Sequence, residues 1–60
     1  MYTDWIVTYV TRHPMLKVES VYDLVVRAKS DADAIAHVER VIPLRSECAL
    51  VGKPTARKYI

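Results

Sequence analysis

The sequence contains few side chains that commonly carry out catalysis, and they are scattered along it. Its two histidines and single cysteine are His13, His37 and Cys48. His13 precedes Pro14 in a predicted turn, and His37 lies on the outer side of a predicted helix, where histidines are usually solvated. Cys48 falls in a predicted strand, and no sequence signal places a histidine or basic group beside it. A Cys-His nucleophilic pair is therefore not expected.

Two acidic residues have a structural explanation, and the motifs for zinc and phosphate binding are missing from the sequence. Asp31 and Asp33 follow Ser30, where acidic side chains complement the positive end of a helix dipole. One cysteine and two separated histidines are too few ligands for a structural zinc site, and one glycine cannot build a phosphate-binding loop. We therefore expect no catalytic residues, no metal, no cofactor and no enzymatic activity.

Two strands are predicted in the first half of the chain. Residues 3–11 are rich in β-branched and aromatic side chains, which favour a strand. Pro14 then predicts a turn over residues 12–17, because it fixes φ and lacks an amide proton. A second strand covers about residues 18–28, with side chains alternating between two faces. The set expected to face the core is Tyr22, Leu24, Val26 and Ala28.

The period changes at Ser30, which predicts a helix N-cap with Asp33 in the capping-box position. Apolar residues then recur at helical spacing until Pro43, so the helix is expected over about 31–42. A short third strand follows over 46–51, with Gly52 and Pro54 as its terminators. We predict one domain over residues 1–54 and a basic C-terminal tail over 55–60, which is either a tail or a brief extension of the sheet.

These elements predict an α+β fold of order β-β-α-β. A tight hairpin makes the first two strands antiparallel, and a right-handed crossover through the helix returns the third strand beside the first. The result is a three-stranded antiparallel sheet, order 2-1-3, with one helix packed on one face.

One helix covers one face of such a sheet, so the other face meets water or a partner. That open face should carry Val21 and Val25, together with one alternating set from the first strand. The sequence leaves two choices for that set, although Trp5 and Tyr9 would fill more of a thin core. Exposed apolar residues on this face indicate an interaction surface, and either the face or an exposed strand edge offers a route to a homodimer. The two alternating sets of the first strand, one of which would lie on the open face, are Trp5, Val7 and Tyr9, or Ile6, Thr8 and Val10.

Composition narrows the class of protein further. The chain has 60 residues, 52% of them hydrophobic, and a formal net charge of only +2, which is typical of a small folded domain rather than a disordered chain. No run is long enough to span a membrane, and the N-terminus lacks signal-peptide order, so we expect a cytoplasmic protein with no membrane partner. Tyrosines and a tryptophan on a sheet, with a basic tail, also permit nucleic-acid binding, although acids and bases balance in the body.

The stretch from Leu24 to Pro54 resembles small early proteins of bacteriophages, and especially the T7-type inhibitor of bacterial RNA polymerase. The shared features are a strand ending near Ala28, a polar cap, an alanine-rich helix, a proline after it, and a last strand closing at a basic residue plus proline. The resemblance implies a single helix on a three-stranded antiparallel sheet and a function of binding one host enzyme. Lys53 matches a basic contact position of that family, whereas the other such position falls on Val51.

We therefore interpret the chain as a small non-catalytic binding protein that modulates or inhibits a host macromolecular enzyme by occlusion. The enzyme would be RNA polymerase or another nucleic-acid-processing or defence enzyme. The alternative is a small nucleic-acid-binding protein that uses the open sheet face and the basic tail. The expected partner-binding residues are Arg12 and Met15 of the turn region, and Lys53, Arg57 and Lys58 near the C-terminus.

Overall fold

The computed structural model describes residues 1–45 and 47–59. It contains three strands and one helix, and the strands form one antiparallel sheet of order β2-β1-β3. The predicted α+β fold, its β-β-α-β order and its 2-1-3 sheet are thus confirmed. The elements in chain order are β1 (Thr3–Arg12), β2 (Glu19–Ala28), α1 (Asp31–Arg45) and β3 (Ala49–Lys58).

The hairpin between β1 and β2 is organised by His13. Its backbone N–H donates to the carbonyl oxygen of Val18 (3.0 Å), which continues the ladder by one more pair. Its imidazole Nδ1 accepts the backbone N–H groups of Met15 (3.2 Å) and Leu16 (3.1 Å). Lys17 closes the turn with a φ of 55°, which is a left-handed conformation. His13 therefore has a structural role in this turn.

Helix α1 begins at the predicted cap. The hydroxyl of Ser30 accepts the backbone N–H of Asp33 (3.2 Å), so one of the otherwise unpaired N-terminal amides is satisfied. The helix does not stop at Ile42, as predicted, but passes Pro43 and ends at Arg45. A proline removes one intrahelical hydrogen bond. Only two helical residues follow Pro43, so the loss of this bond affects little of the helix.

Strand β3 differs most from the prediction. It runs from Ala49 to Lys58, whereas the sequence indicated a strand ending at Val51 and, over 55–60, either a basic tail or a brief extension of the sheet. The structure shows the extension as far as Lys58. Gly52 and Pro54 do not terminate the strand, because both lie in a bulge between the pairs Thr8–Thr55 and Val10–Val51. Gly52 has a φ of 68° and Pro54 is buried, so the two residues bend the strand instead of ending it. The predicted strand start at Ser46 and the tail residue Ile60 lie outside the described residues.

The core lies between the sheet and α1. Its buried members are Val7, Val26, Ala28, Ala34 and Val38, with Trp5, Tyr9, Ile42 and Ala56 packed against them. The structure therefore settles the choice left open for β1: Trp5, Val7 and Tyr9 face the helix.

Helix α1 contacts β3 more than it contacts β2. Of the four β2 residues expected in the core, Val26 and Ala28 are buried, but Tyr22 and Leu24 stay exposed. The prediction that their side chains project to the helix side is correct, but the prediction that they are buried is wrong. The sequence does not show over which strands the helix lies. Part of β2 is thus left without a covering element on the helix side.

Candidate interaction surface

The side of the sheet opposite α1 is called the open face here. Its residues follow from strand register, since directly paired residues project to the same side. One row across the sheet contains Val21, Val10 and Val51. The next rows contain Asp23, Thr8 and Thr55, then Val25, Ile6 and Arg57, and finally Arg27 with Asp4.

Three valine side chains are exposed on the open face. Val21 is 68% exposed, Val25 52% and Val51 39%, while Ile6 and Val10 are half-buried between them. Val10, Val21 and Val51 form one row, and Ile6 and Val25 belong to a second row on the far side of a polar row. These two apolar rows together are called the apolar patch. Contiguous apolar patches on small proteins commonly mark sites where another molecule binds.

Polar contacts hold charged residues in place within and beside this patch. The hydroxyl of Thr8 donates to Oδ1 of Asp23 at 2.6 Å, in the row between the two apolar rows. Nε of Arg27 lies 3.4 Å from Oδ1 of Asp4 in the last row. Arg57 projects beside Ile6 on the β3 side of the same surface. The apolar patch is thus flanked by both signs of charge.

Two of the five expected contact residues, Arg12 and Arg57, lie on the open face, but far apart. Arg12 is at the hairpin end, between Glu19 and Ala49, and Arg57 is opposite Ile6. Arg12 and Ile6 are six residue steps apart in β1, which corresponds to roughly 20 Å along the strand. Met15 is exposed in the hairpin turn next to the Arg12 end.

The other two expected contact residues project to the helix side of the sheet. Lys58 pairs with Trp5, whose side chain faces the helix, and is exposed there. Lys53 lies in the β3 bulge and lines a shallow groove with Asp31, Ile35 and Glu39 of α1. The basic residues that are neighbours in sequence therefore do not form one patch, because β-strand alternation and the bulge send them in different directions.

A second surface feature is a basic groove between β2 and α1. Three of its cationic side chains are Arg27, Lys29 and Arg40, and the ammonium group of Lys29 lies 5.7 Å from the ring centre of Tyr2. The remaining lining residues are Ala28, Asp33, Ala36 and His37. Sequence reasoning did not predict this groove, because its residues are distributed between the N-terminus, β2, the β2–α1 connection and the helix.

The aromatic residues of the sheet lie away from the open face. The indole N–H of Trp5 donates to the carbonyl oxygen of Ala28 (3.1 Å) on the helix side. The rings of Tyr9 and Tyr22 stack on that side with centres 5.5 Å apart. Trp5, Tyr9 and Tyr22 are therefore not placed to stack bases on the open face, as the nucleic-acid alternative supposed. Tyr59 is an exposed aromatic residue at the end of that face, where its backbone N–H donates to the carbonyl oxygen of Asp4 (3.0 Å).

His13 and His37 are far apart in the fold, at the hairpin turn and on the exposed side of α1, and Cys48 precedes β3. Within residues 1–45 and 47–59, no three His, Cys, Asp or Glu side chains come together in a way that would hold a metal ion. Over the same described residues, no helix has the length and apolar character needed to cross a membrane.

The fold and surface define a class of structure: a two-layer α+β domain in which one helix covers one side of a three-stranded sheet and an apolar patch occupies the other. Comparison with known proteins adds no relative to this description. No protein-family model matches the chain, and no curated protein and no solved structure matches it either.

Proposed function

We propose that this protein is a non-catalytic binding protein that docks on another protein through the open face. The observation that carries this proposal is the exposure of Val21, Val25 and Val51 in the two apolar rows of the open face. A sheet built from ten-residue strands loses little conformational entropy when it binds, because its backbone is already ordered. The matching partner surface is an apolar ridge with charged groups of both signs beside it.

The mode of action that we propose is occlusion of a host macromolecular enzyme in the cytoplasm. The molecule measures 41 × 19 × 15 Å, so it is a narrow body that can fill a cleft and exclude substrate or nucleic acid. RNA polymerase and other nucleic-acid-processing or defence enzymes contain such clefts. The resemblance of residues 24–54 to the phage inhibitor of RNA polymerase makes that enzyme the first to test.

The test uses an open-face variant with a matched control. Val51→Asp places a charge in the apolar patch on the β3 side, and Leu44→Asp makes the same type of change at an exposed position of α1, away from that face. We expect the wild type to inhibit transcription by a purified bacterial RNA polymerase, Val51→Asp to lose inhibition, and Leu44→Asp to retain it. Absence of inhibition by the wild type would exclude the polymerase.

The surface itself is tested separately from the identity of the enzyme. Wild type and both variants are used as bait in a bacterial lysate, and the affinity for any protein recovered in stoichiometric amount is then measured with the purified components. Equal affinity of the wild type and Val51→Asp would show that the open face is not the docking surface.

Nucleic-acid binding is a second candidate function. The basic groove is a better site for it than the open face, because the groove carries several cationic side chains. Lys29 and Arg40 lie in the groove, and Arg27, which is ion-paired with Asp4, borders it from β2; these cations would contact phosphates. Titration of labelled single- and double-stranded oligonucleotides at several salt concentrations tests this candidate. Binding that weakens steeply with salt and is lost in Arg40→Glu would support it, and no binding at low salt would exclude it.

A further inference from the structure

The outer edges of the sheet are unequal, and the difference concerns β2. The outer edge of β3 is interrupted by the bulge at Gly52 and by Pro54, which has no N–H group. Strand β2 has neither glycine nor proline, and its ten residues pair with β1 without a break in register. A long regular edge strand is a template on which another strand can pair.

The hairpin identifies which backbone groups of β2 are unpaired. The bond from His13 N–H to Val18 carbonyl marks a hydrogen-bonded pair, and such pairs alternate along an antiparallel ladder. Every second residue from Val18 onward therefore bonds to β1. The intervening residues direct their N–H and C=O groups to the free edge, and these are Glu19, Val21, Asp23, Val25 and Arg27.

We propose that β2 pairs with β2 of a second copy of this chain, antiparallel, around a two-fold axis at Val25. An axis perpendicular to the sheet keeps the open faces of both copies on one side. In this register, Val25 lies opposite Val25 of the second copy, and Asp23 lies opposite its Arg27. The symmetric Arg27–Asp23 pair completes the set, and each of these three pairs can exchange two backbone hydrogen bonds.

Charge complementarity selects this register over its neighbours. An axis at Asp23 would set two aspartates directly opposite each other, which is destabilising. An axis at Leu24 would place Asp23 opposite a valine, and Arg27 opposite another. With the axis at Val25, both charged residues of the central stretch meet the opposite sign, and Arg27 lies between Asp4 of its own chain and Asp23 of the second copy.

The helix side of β2 fits the same arrangement. Leu24 and Tyr22 are exposed because α1 lies toward β3, so the space above β2 is open. In the proposed register, Leu24 lies opposite Val26 of the second copy and Tyr22 lies opposite its Ala28. These apolar pairs would cover side chains that the single chain leaves in water, and the two helices would stand on either side of them.

The open face and the β2 edge are tested by different residues. Val21 and Val25 of the apolar patch belong to β2, but Val51 lies in β3 at the opposite edge of the sheet, so Val51→Asp leaves the β2 edge unchanged. In the pair, the two open faces would join into one six-stranded surface. The inhibition assay with Val51→Asp and the association assay below therefore succeed or fail separately.

Charge reversal and charge exchange test the pairing. Sedimentation of the 6.9 kDa chain over a concentration series should show a monomer–dimer equilibrium. Asp23→Arg and Arg27→Asp should each raise the dimer dissociation constant by at least about tenfold, because two attractive pairs become repulsive. An equimolar mixture of these two variants should associate again, since each then faces the opposite charge, and this rescue also shows that both variants are folded. Glu19→Lys is the matched control, because Glu19 lies outside the paired stretch.

Disulfide trapping reports the register directly. In a Cys48→Ser background, Val25→Cys should form an intermolecular disulfide on mild oxidation, since directly opposite Cα atoms in such a pair are about 5.5 Å apart. Asp23→Cys should cross-link far less. A wild type that stays monomeric at every concentration would overturn the proposal. So would tighter association of Asp23→Arg, preferential cross-linking at residue 23, or no rescue in the mixture.

Discussion

A valine-to-alanine change should lower the free energy of unfolding much more on the helix side of the sheet than on the open face. Val7 and Val21 are both valines in neighbouring strands, but Val7 is fully buried under α1 and Val21 is 68% exposed on the open face. Replacing either with alanine removes the same two methyl groups. Any difference in the free energy of unfolding between the two variants therefore reports burial rather than composition.

The expected size of the effect follows from burial. Losing two buried methyl groups costs about 1.6 kcal/mol in transfer free energy, and the cavity left behind raises the cost to about 2–3 kcal/mol. A chain of this length is expected to have a total stability of roughly 3–9 kcal/mol, so Val7→Ala removes a large part of it. The midpoint of thermal unfolding should fall by about 10–20 °C. Val21→Ala should cost less than about 1 kcal/mol, the whole range of strand propensity.

The assay is urea and thermal unfolding followed by far-UV circular dichroism, at a concentration low enough for the chains to be monomeric. Val21→Ala should also weaken binding to any partner that wild type binds through the open face, whereas Val7→Ala should not when measured well below its melting temperature. Equal destabilisation by the two variants would refute the assignment of the faces, and a larger loss in Val21→Ala would reverse it.

Three further predictions concern the turns and the helix start. His13→Ala should cost about 1–3 kcal/mol, because two backbone N–H groups lose their acceptor, and thermal unfolding against His37→Ala as control measures it. Gly52→Ala should destabilise by about 1 kcal/mol although no atom lies within 4 Å of the added methyl group, since its φ of 68° disfavours alanine; a neutral result in urea unfolding would contradict the bulge geometry. Ser30→Ala should cost about 1 kcal/mol by removing the helix cap, and Ser30→Asp should restore it; equal midpoints for all three chains would show that the cap does not contribute.

Local signals in the sequence were sufficient for β1, β2 and the start of α1. Dense β-branched residues and Pro14 bounded the first hairpin to within a residue or two, and Ser30 with two following aspartates marked the helix N-terminus. These features act over a few residues, so the sequence alone displays them. The ends of α1 and β3 were wrong because Pro43, Gly52 and Pro54 were interpreted as terminators, whereas packing and a bulge accommodate them.

The sidedness of β1 was left open because both alternating sets are largely apolar. One signal was available: Asp4 and Arg12 belong to the same set as Ile6 and Val10, and charged residues at both ends favour the uncovered face. The choice of individual contact residues was less successful. Lys53, Arg57 and Lys58 are close in sequence, yet they point in different directions, and the apolar patch beside Arg57 depends on pairing between strands that are distant in the chain.

The bulge in β3 also has a consequence for how far association can proceed. A sheet with two regular edges could add copies at both, and such addition has no natural end. Here, only the β2 side presents an uninterrupted row of donors and acceptors, and a two-fold pairing uses that row in both copies at once. The outward edges of the resulting pair are both β3, with Gly52 and Pro54 in each. In the proposed pair, the bulge in β3 would therefore stop further strand pairing at two chains, so that a small, valine-rich sheet would not grow into a fibre.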